Sequence, residues 1–257
     1  MNGGLLNPDT ICYLNAFLQC IRIINSVDKG NVSNTSLISL LKSMDLQGVS
    51  DPVPFAMTLP VPFRPGYGQQ DVLELMNVFF SSTSPLMLPS VSIAVQRRTV
   101  CGLCMTTSEI MSNDPFISMT PLAKTVTHLI QMASAATPAI GWKCPHCGQA
   151  EATTNEVFRP QGNFVLLHLK RFVSTHGPKG FRALKIIDPV TVTREITISN
   201  VAFSLEAVVL HIGDMVGGHY VTDVLARRLC YDDHKVYTIP ASRPALATPV
   251  LLLYRRL

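Results

Sequence analysis

Two C-x-x-C pairs carry the most specific chemistry in this sequence. Cys101-Gly102-Leu103-Cys104 and Cys144-Pro145-His146-Cys147-Gly148 each bring two thiolates within reach of one ion. Together they supply the tetrahedral all-sulfur set that zinc favours. The Gly and Pro residues suit the tight turn that each pair needs. Thirty-nine residues lie between Cys104 and Cys144, more than in a compact zinc ribbon. The two turns therefore belong to separate hairpins that the fold must bring together. The alternative is four ordinary buried thiols or a redox pair, but neither C-x-x-C has the βαβ surroundings of a redox motif. Four sulfurs close the coordination shell, which makes the site structural and leaves His146 without a ligand role.

Three cysteines remain: Cys12, Cys20 and Cys230. Cys20 falls on the apolar stripe of an expected helix and Cys230 in an expected strand, and both read as core filling. Cys12 has different neighbours. Asn7-Pro8-Asp9-Thr10 carries turn and cap chemistry, and Leu14, Phe17, Leu18, Ile21 and Ile24 follow at helical spacing. With Asp9 or Thr10 as the expected N-cap, Cys12 lies in the first helical turn. There, unpaired backbone N–H groups and the helix dipole favour an anionic sulfur, the form that attacks carbonyls. A cysteine that simply happens to stand at a helix start is the competing explanation. Near the other end, the strand pattern Ala207-Val208-Val209-Leu210-His211 leads through Gly213, Gly217 and Gly218 to His219 and Tyr220. Those glycines permit a tight loop and close approach of backbone to a ligand. His211 and His219 together could be read as a metal pair, but no carboxylate stands at a spacing that completes one. His168, inside the apolar run from Asn163 to Phe172, reads as a core histidine.

These residues sit in a chain of 257 residues, between one and two domains at ~150 residues each. With 47% hydrophobic and 15% charged residues, the composition excludes a disordered tail or linker. The net charge is 21 basic minus 17 acidic residues, +4. A charge that small, spread over basic doublets and accompanied by the single Trp142, disfavours a nucleic-acid-binding zinc ribbon. No apolar run approaches the ~20 residues of a membrane helix, so no membrane partner is expected. The odd count of seven cysteines, with no secretory signal at Met1-Asn2-Gly3-Gly4, argues for a reducing compartment such as the cytoplasm. Motif-like residues begin almost at once, at Asn7, so a domain cut from something longer is expected. Further elements follow from pattern: a short helix near Leu37–Leu41, and a helix opened by Gln70 and Asp71 with Leu73, Met76 and Phe80 on one face. Alternating segments span Val91 to Phe158, and a final strand runs from Pro249 to Arg255.

Five segments, in order, resemble the ubiquitin-specific proteases. Gly4-Leu5-Leu6-Asn7-Pro8-Asp9-Thr10-Ile11-Cys12-Tyr13-Leu14-Asn15-Ala16-Phe17-Leu18-Gln19 is similar to the family's cysteine box, G-L-x-N-x-G-x-T-C-Y-x-N-x-x-L-Q. It departs at Asp9, which replaces Gly, and at Ile11, which replaces Thr. Gln69-Gln70-Asp71-Val72-Leu73-Glu74-Leu75 resembles the Q-Q-D-x-x-E-F box, with Leu75 for Phe. Asn163-Phe164-Val165-Leu166-Leu167-His168-Leu169-Lys170-Arg171-Phe172 resembles L-x-L-x-L-K-R-F. His211 to Tyr220, continuing to Tyr231-Asp232-Asp233-His234-Lys235-Val236, resembles the histidine box and its acidic partner. Asp223 stands where a Tyr is usual, and the usual Trp before the acid pair is missing. Leu252 to Arg255 is similar to the closing strand.

The resemblance implies an α+β, papain-like cysteine protease fold in one catalytic domain. Its helical thumb would span about 1–90, its zinc-ribbon fingers about 91–163 and its β-rich palm about 164–257. It implies Cys12 as nucleophile, His219 as base, and Asp232 as the third triad member with Asp233 as second choice. Asn7 would be an oxyanion donor. Asp71, Gln70, Gly217, Gly218 and Tyr220 would bind substrate, and Cys101, Cys104, Cys144 and Cys147 would hold structural zinc. The implied reaction is cleavage after the Gly-Gly terminus of ubiquitin through a thioester, with ubiquitin and ubiquitinated proteins as partners. A ubiquitin-like modifier or a viral polyprotein Gly-Gly site is an alternative substrate, and an inert ubiquitin-binding module, disabled by Asp9 and Ile11, is an alternative function. The length is short for the family, which fits a compact protease, freestanding or excised from a viral polyprotein in an infected host cell.

Overall fold

A computed structural model describes residues 3–30, 32–46, 48–177, 180–214, 217–244 and 246–257. The first third is mainly helical. Strand β1 (Gly4–Leu5) runs into α1 (Cys12–Val27), followed by α2 (Thr35–Met44), β2 (Val49–Ser50), α3 (Val53–Ala56), α4 (Val72–Val78) and α5 (Leu88–Val91). β1 and β2 form a short parallel pair. The expected cap of α1 is not the one observed. Ile11, not Asp9 or Thr10, occupies the N-cap and no side chain caps the helix, because Thr10 takes a left-handed φ of 48°. The Ile11 N–H is instead accepted by the Asn7 side-chain oxygen at 3.0 Å. The first turn of α1 therefore keeps its backbone donors clear of any capping side chain.

A long ribbon follows, made of β3 (Ile93–Cys101), β4 (Thr107–Asp114), β6 (Thr137–Pro138) and β7 (Ala152–Pro160) in the order β4-β3-β7-β6. The stretch expected as fingers, about 91–163, is not all ribbon. β5 (Ile117–Met119) pairs in parallel with β8 (Phe164–Leu169) at the edge of the large sheet, and α6 (Val126–Ser134) packs against that sheet's core. The physical reason is apolar content: Ile117, Met119, Val126 and Leu129 are all buried, which a two-sided solvated ribbon could not offer them.

The remaining strands are β9 (Phe172–Gly177) and β10 (Gly180–Lys185), a separate hairpin, then β11 (Glu195–Ile198), β12 (Val201–Gly213), β13 (Gly218–Val224), β14 (Leu229–Asp232), β15 (Lys235–Thr238) and β16 (Thr248–Arg256). They build a sheet of order β15-β14-β13-β12-β16-β8-β5, with β11 pairing β12. Both faces of its centre are covered. Ala207, Val209, Leu251, Leu253 and Leu166 face one core with the helices, whereas Val208, Leu210, Leu252, Tyr254 and Leu167 face a second core with α6. That double burial explains why β8 and β16 read as unbroken apolar runs instead of alternating ones. His168 is one of these buried residues and its Nδ1 meets Ser118 Oγ at 2.8 Å. No helix among the described residues is long and apolar enough to cross a membrane.

Helix α1 lies on β13, joined by a 2.8 Å bond from Thr222 Oγ1 to the Ala16 carbonyl. Its other side is held by aromatic edges: Phe17 meets Phe79 at 5.1 Å and 89°, and Phe80 at 6.2 Å and 83°. Truncating Phe17 to Ala empties a fully buried site and is expected to cost about 3–5 kcal/mol of stability. A urea titration checks this. A loss under about 0.5 kcal/mol, within the range of an ordinary surface change, would show that this aromatic cluster does not hold α1 in place.

Candidate active site

Cys12 opens α1 and His219 is the second residue of β13, so the packing of one on the other brings the two together from 207 positions apart. Asp232 ends β14, the neighbour of β13, and its Oδ1 lies 2.6 Å from His219 Nε2. With Nε2 engaged there, Nδ1 is the ring nitrogen left for Cys12. The bond to Cys12 is the largest influence on His219, followed, against the opposing effect of burial, by the bond to Asp232. Together they raise its pKa from 6.5 to about 9. Cys12 is buried at 2% exposure, whereas His219 is 37% exposed and opens onto solvent.

Asp233 has a different place from its neighbour. It sits in the β14–β15 turn with a left-handed φ of 50°, which Asp tolerates better than most residues. Its Oδ2 accepts from Asn7 Nδ2 and its Oδ1 from Asn15 Nδ2, each at 2.8 Å, and it stands 3.9 Å from His219 Nε2. Asn15 also donates to the Leu6 carbonyl at 3.0 Å, and Gln19, one turn on, donates to the Gly3 carbonyl at 2.9 Å. The amide face of α1 thus binds the N-terminal strand and the turn after β14 to one another. Gly4 permits this approach: a Cβ there would stand 2.7 Å from the His234 carbonyl oxygen.

Of the residues expected to bind substrate, Gln70, Asp71 and Tyr220 line one cavity, and Gly218 is hydrogen-bonded to Gln69 on its wall. Asp71 is the N-cap of α4, accepting from the Leu73 N–H at 2.8 Å. Burial raises its pKa despite that bond. Gln69, Gln70, Asp71, Phe172, His211 and Tyr220 surround a cavity of about 170 Å³. The His211 ring packs edge-on to Phe172 and Tyr220, and burial pushes its pKa down to about 4, so it is a neutral wall of the cavity. Gly218 must be glycine because a Cβ would fall 2.0 Å from His211 Nε2.

Three contributors went unassigned in the sequence. Asn15 lies among apolar positions of α1, and a polar side chain that deep needs partners, which is the signal that marks it. Tyr237 donates to the second oxygen of Asp232 at 3.3 Å, and Gln69 reaches Gly218; neither has a pattern of its own that points there. Asp223, at the departure from the usual Tyr, pairs with Arg243.

The four knuckle cysteines meet at the tip of the ribbon. The first pair lies in the β3–β4 turn and the second just ahead of β7, which pairs with β3 so that Cys101 opposes Ala152. Met105 and Gly148 take matching left-handed φ values of 59° and 74°, each closing its turn with an N–H bonded back to the first cysteine's carbonyl. All four sulfurs lie within 4.8 Å of one another, with Cys101–Cys147 at 3.6 Å and Cys104–Cys144 at 3.5 Å. Tetrahedral zinc with Zn–S bonds of about 2.3 Å needs S···S separations of about 3.8 Å. The set fits a structural zinc ion, with no carboxylate or open position that would make it catalytic.

Residues 3–254 match the family model described as ubiquitin carboxyl-terminal hydrolase. The fold is similar to that of two solved structures: the SAGA DUB module of Ubp8, Sgf11, Sus1 and Sgf73 bound to monoubiquitin, and the same module bound to ubiquitin aldehyde. TM-scores are 0.76 and 0.77 at 18% and 17% identity, each match covering 100% of this chain and 70% of the other. No curated protein sequence matches.

Replacing Cys144 by Ser is expected to release zinc and lower the melting temperature, read by metal analysis and calorimetry; retained zinc with unchanged melting would refute the four-sulfur site. For His219, the expectation is an imidazole NMR titration midpoint near 9 in the wild type and a lower one in Cys12→Ala, because the largest upward influence is gone. An unmoved midpoint would mean that Cys12 and His219 do not interact.

Proposed function

This chain belongs to the ubiquitin carboxyl-terminal hydrolase family, cysteine-type hydrolases of ubiquitin conjugates, and we propose that Cys12, His219 and Asp232 are its catalytic triad. The observation that carries this reading is the setting of His219: its Nε2 meets Asp232 at 2.6 Å, and α1, which Cys12 opens, packs on the strand that carries it. The proposed reaction is hydrolysis of the isopeptide or peptide bond after the C-terminal Gly-Gly of ubiquitin. The bound ubiquitin named for both similar structures supports ubiquitin as the partner.

In the first step the Cys12 thiolate adds to the glycine carbonyl, forming the C–S bond and an oxyanion. The oxyanion is held by the Cys12 backbone N–H and by Asn7. The Asn7 amide nitrogen carries two hydrogens, of which Asp233 takes one, leaving one for the oxyanion. Collapse breaks the C–N bond as protonated His219 gives its proton to the leaving amine. Neutral His219 then takes a proton from water, which attacks the thioester and releases the carboxylate and Cys12. Asp232 holds the ring and stabilises its charged form. Gly217, Gly218, Asp71, Gln70 and Tyr220 form the passage for the slim tail. The exposed carboxylate of Asp9 is screened by solvent and Ile11 is absorbed into the core, so neither family departure removes a catalytic group. Cys101, Cys104, Cys144 and Cys147 would hold zinc at the ribbon tip, where it would tie the two knuckles together.

A ubiquitin probe with a C-terminal electrophile is expected to label the wild type and not Cys12→Ala. Binding without an adduct would favour an inert module, and an adduct only with a ubiquitin-like probe would change the substrate. Asn7→Ala is expected to lower kcat about 10²–10³-fold with a smaller effect on KM. The pH profile follows from the sign of the His219 shift. A group raised to about 9 stays protonated below that pH, so activity falls as pH rises through about 9 and the leaving amine loses its acid. An alkaline limb starting near 6.5 would contradict this assignment.

A further inference from the structure

Gln69 ends the loop that enters α4 and lies on the helical side of the cleft, yet its carboxamide crosses to the sheet. Its Nε2 donates to the Gly218 carbonyl, and its Oε1 accepts from the Gly218 N–H at 3.3 Å. A single side chain therefore makes both of the main-chain bonds that an extended peptide makes with one residue of an antiparallel strand. Gly218 directly precedes His219, so this backbone edge lies where the acyl part of a bound peptide would run toward Cys12. Gly218 offers no side chain to guide a ligand, and its own Cβ position is filled by His211. What it can offer is its N–H and C=O, and Gln69 occupies both. The same carboxamide walls the cavity shared with Asp71, His211 and Tyr220.

We propose that Gln69 is a latch: it covers, as a peptide mimic, the Gly218 backbone edge onto which the substrate tail docks, and the tail must displace it to reach Cys12. The role of the edge rests on the protease reading above; the existence of the latch does not. A latch of this kind selects for chains that are extended and bare of side chains at the position facing Gly218, since only those replace both bonds without meeting His211. It also taxes binding by the fraction of time it is closed.

Two variants test it. Gln69→Ala removes the latch, and Gln69→Glu keeps its length but sets a carboxylate oxygen against the Gly218 carbonyl. Amide hydrogen exchange should show the Gly218 N–H protected in the wild type and exposed in Gln69→Ala. The rate of labelling by the ubiquitin probe, divided by the rate of Cys12 alkylation by iodoacetamide, should rise about three- to tenfold in both variants, the scale of losing one or two net hydrogen bonds. Unchanged exchange at Gly218 overturns the latch itself. An unchanged or lower labelling ratio overturns its gating of the tail, the lower ratio meaning that Gln69 helps hold substrate. A wild type alkylated at Cys12 that never takes the probe refutes the protease reading, and with it the tail as the displacing group.

Discussion

The carboxylate of Asp233 joins the two ends of this chain. Its oxygens accept from Asn7 and Asn15 at 2.8 Å, while its own carbonyl takes the Leu5 N–H at 2.9 Å. Its side chain is only 9% exposed, so these bonds are not readily exchanged for water. Hydrogen bonds to a charged group contribute about 1.5–3 kcal/mol each, and removing the acceptor would strand two amides. Through this one group the loop ahead of Cys12, the first turns of α1 and the turn after Asp232 share a common reference point. The separation of Cys12 from His219 is then set by the packing of α1 on β13, and the direction of the imidazole by Asp232.

This arrangement divides roles between two adjacent acids. Asp232 lies at the end of a strand, 26% exposed, with one oxygen for His219 and the other for Tyr237. Asp233 turns inward to the asparagines. The two could not exchange roles without reversing the left-handed turn that separates them. The uncapped start of α1 belongs to the same design. A capping side chain would consume the backbone donors of the first turn, whereas Asn7 accepts the Ile11 N–H from outside that turn and donates its amide to Asp233.

The four knuckle cysteines lie at the tip of the ribbon, where β3 turns into β4 and the chain enters β7. They supply what a solvated two-sided ribbon lacks, a covalent-like anchor where little apolar surface can be buried. The large sheet needs no such aid, because both of its faces are covered along β8, β12 and β16.

Much of this was legible in the residues. The knuckle cysteines, the helix that follows Cys12, the continuous apolar strands and the order of the five motifs all depend on local spacing, which a linear sequence displays directly. The cap of α1 was misread because the preference of Asp and Thr for caps was overridden by a left-handed Thr10. The helix and strand inserted between the ribbon strands were missed because short apolar segments look alike whether they line a ribbon or a core. The sequence alone determined which chemical groups are present and what each element's period is. Only the tertiary structure decided which of two neighbouring acids meets the imidazole, that Asn15 and Tyr237 support them, and that Gln69 spans the cleft. Those contacts join residues far apart in sequence or depend on the sense of a single turn, and no spacing rule encodes them.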